Sequence, residues 1–233
     1  MTEIKHIGGL YRLWDALRAR FPGLLIDNCS SGGRRIDIET LRRSIPLWRS
    51  DAMCPAAIDA EIGQAHAISF GSWLPYSGTG AGRTLYDTYR FRSAYAPAMS
   101  TNYFYSASTP LPEDPLAREW TRRMFVEYLR VRPYLFKDIY PLTVAGTAKD
   151  AWSAVQYHDP DTDTGVVQIF RREQSPYEEA CLRLCGLSDA ASYVFEDADT
   201  GEEALSGDAL GSKGWRVRVE EARTAKVYFY RRA

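Results

Sequence analysis

The stretch from Leu24 to Asp51, LLIDNCSSGGRRIDIETLRRSIPLWRSD, constrains the fold of this chain more than any other. Its short apolar run, Leu24-Leu25-Ile26, predicts a buried strand from Leu24 to Asn28. The run stops in a polar, glycine-containing turn, Asn28-Cys29-Ser30-Ser31-Gly32-Gly33-Arg34. Ile36 to Ser44 has the spacing of a short amphipathic helix, with Pro46 marking its end. Leu47 to Ser50 then reads as a second strand that delivers Asp51. Strand, turn, helix and a strand ending in a carboxylate is the grammar of a β/α barrel, whose chemistry sits at the carboxyl ends of successive strands.

The same grammar extends on both sides. Thr2 to Phe21 carries Ile4, Ile7, Leu10, Tyr11, Trp14 and Leu17 at helical spacing, and Pro22-Gly23 stops it. Ala56 to Ser69 reads as a helix, and Trp73 to Tyr76 as a strand end opening into Ser77-Gly78-Thr79-Gly80-Ala81-Gly82. Tyr86 to Ala98 reads as a helix, Ser100 to Ser106 as the last barrel strand, and Pro115 to Tyr140 as the longest helix. After Pro141 the pattern changes to short strand-like runs: Ala154 to His158, Thr164 to Arg171, Ala180 to Leu184, Ser192 to Asp197, Trp215 to Val219 and Ala225 to Tyr230. Their spacing predicts an antiparallel β-sandwich. The expected fold class is therefore α/β plus all-β: residues 1–145 form half of a (β/α)8 barrel and residues 146–233 form the sandwich. A half-barrel leaves two unpaired edges and much apolar interior exposed. It needs its other half, in cis or from a partner.

Composition removes several classes of function. A net charge of -1 over 233 residues gives no electrostatic case for nucleic acid or an acidic membrane as partner. Three scattered histidines make a zinc cluster a poor expectation, and four cysteines do not staple a chain of this size. Cys181 and Cys185 read as core-filling. Ser77 to Gly82 lacks the Lys-Ser/Thr ending of a phosphate loop and reads as a flexible barrel loop. The high aromatic content, 15 Tyr and 6 Trp, suits the apolar faces of sugars and suits core packing equally.

Asn28 to Arg34 with Asp37, and Trp48-Arg49-Ser50-Asp51, resemble the acid/base region of glycoside hydrolase family 36, the microbial α-galactosidases or melibiases. The family carries an Asn-Cys-Ser-Gly-Gly-Gly-type turn followed by a strand ending in Trp-x-Ser-Asp. The resemblance extends through Ile7-Gly8-Gly9-Leu10-Tyr11-Arg12-Leu13 and Arg20-Phe21-Pro22, and weakly to the C-terminus. Its strength is concentrated between Gly8 and Asp51. The family nucleophile lies in a Lys-Trp-Asp motif, and no Lys-Trp-Asp occurs in these 233 residues. The chain thus resembles the C-terminal part of a longer enzyme, and by itself is expected to be inactive. The absence of a signal peptide slightly favours the cytoplasm, and only slightly because the resemblance puts the true N-terminus upstream.

The resemblance implies a retaining α-galactosidase without metal or organic cofactor. Such enzymes pair two carboxyl groups about 5–5.5 Å apart, one a nucleophile and the other an acid that becomes a base. Asp51 is the implied acid/base, and the alternative is a helix N-cap. Cys29 and Gly32 are implied to contact the galactosyl ring, with Gly33, Trp48 and Arg49 beside them. Cys29 as a small hydrophobe, Gly32 and Gly33 as a plain turn, and Trp48 packing beneath Asp51 are the structural alternatives. Arg34, Arg35 and Asp37 read as a loop-orienting ion-pair network, with Asp37 a helix cap as well. The family continues Ser-Asp-Asp-Thr-Asp-Ala where this chain has Ser50-Asp51-Ala52-Met53-Cys54-Pro55, and Asp59 is a doubtful replacement. That departure leaves open a related specificity, transfer to a sugar acceptor, or a non-catalytic subunit completing a split barrel. A homo-oligomer is a further open partner.

Overall fold

A computed structural model of the chain describes residues 2–30, 32–46, 48–53, 59–74, 76–81, 85–100, 114–206 and 209–233. Helix α1 (Thr2–Arg20) opens the chain, with Glu3 in its first turn and Arg18 and Arg20 in its last. Those charges complement the helix dipole. Of its expected apolar face only Trp14 is buried, and Ile4 is 75% exposed.

Strand β1 (Asp27–Asn28) pairs in parallel with β2 (Ile45–Pro46) across helix α2 (Ile38–Leu41). The expected strand Leu24 to Asn28 is reduced to its last two residues, and the described residues 48–50 of the expected strand Leu47 to Ser50 are not strand; β2 lies before them. Leu25 is 80% exposed. β1 pairs with β2 alone among the described residues, so the apolar run before it has no second neighbour to extend against. Leu47 lies outside the described residues. Helix α3 (Ala60–Ser69) follows, and residues 56–58 of the expected helix also lie outside them.

A second parallel pair joins β3 (Gly78–Gly80) to β4 (Ala98–Ser100) across helix α4 (Thr88–Ser93). Gly78-Thr79-Gly80, expected as a flexible loop, is thus a strand, and all three residues are buried. The Thr79 hydroxyl donates to the Ala94 carbonyl in front of it. Gly82, and Thr101 to Ser106 of the expected last strand, lie outside the described residues.

Helix α5 (Pro115–Val131) is capped by Asp114, which accepts from the Leu116 N–H at 2.9 Å. It stops well before Tyr140. Pro133 falls in a 3-10 turn, Arg132–Phe136, and the chain then enters strand β5 (Asp138–Pro141). The strands that follow are β6 (Trp152–Asp159), β7 (Thr164–Arg171), β8 (Glu179–Leu182), β9 (Tyr193–Asp197), β10 (Glu203–Leu205), β11 (Trp215–Arg218) and β12 (Thr224–Arg232). Five of them and β5 form an antiparallel sheet in the order β10-β9-β12-β7-β6-β5, and β8 pairs antiparallel with β11. The expected boundary at residues 145–146 falls between β5 and β6.

Strand periodicity of two divides the sheet into two apolar faces. Val155, Tyr157, Val166, Val227 and Phe229 pack with Ile68, Phe91, Trp120, Met124 and Val131 of the helices. Ala154, Val167, Ile169, Phe195 and Tyr230 pack instead under Leu182 and Val217 of the β8–β11 pair. The same alternation corrects the expectation for two cysteines. Leu182 and Leu184 take the inward positions, so Cys181 and Cys185 are exposed.

The helices and the sheet are also joined by buried polar contacts. The Arg92 guanidinium donates to Glu127 at 2.7 and 2.8 Å, to Asp199 at 2.5 Å and to the Ala225 carbonyl at 2.7 Å. Nearby, buried Glu61 accepts from the Tyr89 hydroxyl at 2.8 Å. Burial, reinforced by its bond with Asp59, raises the Glu61 pKa above the usual carboxylate value. A raised folded-state pKa contributes stability that is full below the unfolded value and lost as pH rises through the folded value. Glu61→Gln keeps a carbonyl oxygen to accept from Tyr89 and removes the charge. It is expected to raise the thermal midpoint at pH 8 and leave it nearly unchanged at pH 4, as read by circular dichroism.

Candidate functional site

Because β1 and β2 are parallel, the segments leaving their carboxyl ends run side by side. Asn28 at the end of β1 is buried, and its amide donates to the Ser44 hydroxyl at 2.7 Å, which in turn donates to the Thr40 carbonyl at 2.9 Å. This chain of bonds ties the end of β1 to the helix connecting it to β2. Asp37 caps that helix, accepting from the Thr40 N–H at 2.9 Å and the Thr40 hydroxyl at 2.7 Å. Burial works to raise the Asp37 pKa, but the Thr40 bonds overcome it and hold the carboxyl below its usual range. Its side-chain partners among the described residues are the hydroxyls of Thr40 and Tyr11 rather than Arg34 or Arg35. Arg35 donates to the Cys29 carbonyl at 3.4 Å, bracing the turn from within.

The turn then folds onto the end of the second strand. Gly32 has φ +44° and Gly33 has φ +77°, the left-handed region that favours glycine. A Cβ on Gly32 would lie 2.5 Å from Asp51 Oδ1 and 2.6 Å from the Ser50 carbonyl carbon. One on Gly33 would lie 2.7 Å from the Arg49 carbonyl oxygen. The absence of side chains on these two residues is what allows the turn to rest on Arg49-Ser50-Asp51. Two motifs separated by nearly twenty residues therefore meet.

Asp51 begins a 3-10 turn, Asp51–Met53, and is exposed. Cys29 is an exposed free thiol, and Trp48 is half-buried. Arg49 differs from the rest. It is only 4% exposed, and its Nε donates to the Ser77 hydroxyl at 2.7 Å. That bond ties the segment after β2 to the residue preceding β3. Burial pushes the His66 imidazole down to about 4, helped by the Arg49 charge, so it is neutral at pH 7. Ser77 is a support that sequence reasoning missed: it has no functional motif and reaches Arg49 only through the tertiary fold.

Among the described residues no group of His, Cys, Asp and Glu side chains is placed to hold a metal ion, and no helix is long and apolar enough to cross a membrane. A melibiase family model matches residues 1–72. Alpha-galactosidase 2 of Hypocrea jecorina is 28% identical over 233 residues, covering 95% of this chain and 29% of its own length. A probable alpha-galactosidase C of Aspergillus terreus is 26% identical over 248 residues, covering 99% of this chain and 30% of its own. A GH36 alpha-galactosidase AgaA variant from Geobacillus stearothermophilus, solved with stachyose, superposes with a TM-score of 0.73 at 21% identity. That match covers 97% of this chain and 31% of the solved one. The chain thus spans about 30% of the length of these relatives, and the structural match establishes a shared fold.

Proposed function

We propose that this chain, a homologue of the family 36 α-galactosidases, carries the acid/base side of a retaining α-galactosidase site. In this reading β1–α2–β2 and β3–α4–β4 are successive repeats of a (β/α)8 barrel, and the antiparallel sheet with the β8–β11 pair forms a sandwich domain behind it. The observation that carries it is the contact between Gly32 and Asp51, because it brings the glycine turn and the strand-end carboxylate into one place.

The chemistry follows from that placement. Asp51 protonates the departing glycosidic oxygen, then takes a proton from the water that releases galactose. Cys29 and the backbone at Gly32 and Gly33 lie where the sugar ring passes, and Trp48 offers it an aromatic face. Arg49 lies behind this surface and holds the strand end in register. The nucleophilic carboxylate comes from outside these residues, since the chain has no Lys-Trp-Asp motif. A general acid keeps its proton through burial or a neighbouring carboxylate. The second barrel half supplies both for the exposed Asp51. Exposed Leu24, Leu25, Ile4 and Leu13 give that half an apolar surface to cover.

The test is turnover of an aryl α-galactoside by this chain joined to, or mixed with, a segment carrying the nucleophile. Hydrolysis is expected from the completed protein and not from the 233 residues alone. Asp51→Asn in the completed protein is expected to lower kcat by about 10³-fold or more. A full-strength Asp51→Asn enzyme would remove the acid/base assignment. The sequence after Asp51 favours one second reading, altered preference on the leaving-group side, including transfer to a sugar. Product analysis with oligosaccharide acceptors separates the two. A completed protein with no turnover would instead support a non-catalytic subunit.

A further inference from the structure

We infer that the enclosed Arg49 guanidinium is completed by one small monovalent anion of halide size, bound behind the Asp51 strand end. Four arginines are buried among the described residues: Arg49, Arg92, Arg171 and Arg172. Arg92 has two carboxylates and a carbonyl. Arg171 donates to the carbonyls of Val219, Glu220 and Ser175 through its two terminal nitrogens, and its Nε is buried without a partner. Arg172 donates to Gln64 and to the carbonyls of Ala148 and Gly146. Arg49 has the Ser77 hydroxyl, while its buried Nη1 has no hydrogen-bond partner. No carboxylate acts on its charge among the described residues; the one ionisable group that does is the buried phenol of Tyr157.

Buried charges are paired and buried donors are satisfied, so such a group points to an occupant. Ser50 Oγ, on the adjacent residue, is also buried and without a partner. A guanidinium N–H and a hydroxyl are both donors, and both suit an anion. The occupant is small because this chain already encloses the arginine to 4% exposure. A water molecule would satisfy the N–H but leave the buried charge uncompensated.

The test uses the chain as it is. Thermal unfolding is followed in chloride, bromide and gluconate at matched ionic strength. A halide held at Arg49 is expected to raise the midpoint by about 3 °C at about 100 mM relative to gluconate. Arg49→Met is expected to lose that increment. Should Arg49→Met not fold, bromide-soaked crystals of the unaltered chain carry the test, with an anomalous peak expected in contact with Arg49 Nη1. The inference is overturned by the absence of that peak, by equal halide increments in both proteins, or by a peak with no increment in solution, which would mark an adventitious ion only.

Discussion

Replacing Arg92 by methionine is expected to destabilise the fold by about 3–5 kcal/mol, the usual cost of removing one partner from a buried ion pair. The reason lies in what remains. Methionine fills part of the volume, but Glu127 and Asp199 stay where Arg92 had held them, and the Ala225 carbonyl loses its donor. Arg92 lies on α4, Glu127 on α5, and Asp199 and Ala225 on or beside the sheet, so one side chain links three layers. At about 2–4 °C per kcal/mol for a chain this long, the midpoint should fall by about 6–20 °C. Arg122→Met, which removes an exposed pair with Glu119, should leave the midpoint nearly where it was.

The pH dependence gives a second check on the same network. Burial would raise the Asp199 carboxyl, but the Arg92 bonds prevail and hold it below the usual range. A lowered folded-state pKa contributes stability that is present above the unfolded value and lost as pH falls through the folded one. The gap between the unaltered chain and Arg92→Met should therefore narrow below about pH 4. A gap that stays constant through acid would show that the loss comes from packing rather than from charge. A loss under about 1 kcal/mol at pH 7 would mean that the helices and sheet hold together without the clamp.

That clamp was invisible in the sequence, because Arg92 and Asp199 are 107 residues apart. What was legible was local and periodic. Thr164 to Arg171 alternates cleanly between two apolar layers and was found at its full length. β5 was missed because its four residues follow the helical pattern of α5 directly, and because it ends in Pro141, a poor strand residue anywhere but at an edge. It is an edge strand. Gly78 to Gly80 misled for the opposite reason: glycine signals a turn, and here it lies in a buried strand. At the site, the turn and Asp51 could be named from the Asn-Cys and Trp-x-Ser-Asp motifs, while the hydrogen bond from buried Arg49 to Ser77 is announced by no motif.

Gly32→Ala should separate the site from the fold. At φ +44° an alanine is strained by about 1–3 kcal/mol, and its methyl would sit 2.2 Å from the Asp51 backbone nitrogen and 2.5 Å from Asp51 Oδ1. Something must move. The turn is braced by Arg35 on one side and anchored through Asn28 to Ser44 on the other, whereas Asp51 is exposed and opens a single 3-10 turn. Asp51 is therefore the softer partner and is pushed aside. A displacement near 1 Å at a reacting group costs about 10²-fold in rate. In the completed enzyme Gly32→Ala is expected to lower kcat by about that factor, with the far-ultraviolet spectrum unchanged. Gly23→Ala, where a Cβ meets nothing within 4 Å, is the matched control and should leave activity intact. The pH–rate profile adds a readout that a general loss of folding cannot imitate: the acid limb assigned to Asp51 should shift in Gly32→Ala and stay in place in Gly23→Ala. If Gly32→Ala works as well as the unaltered enzyme, the turn does not bear on the acid, and the contact that makes one site of two motifs loses its functional meaning.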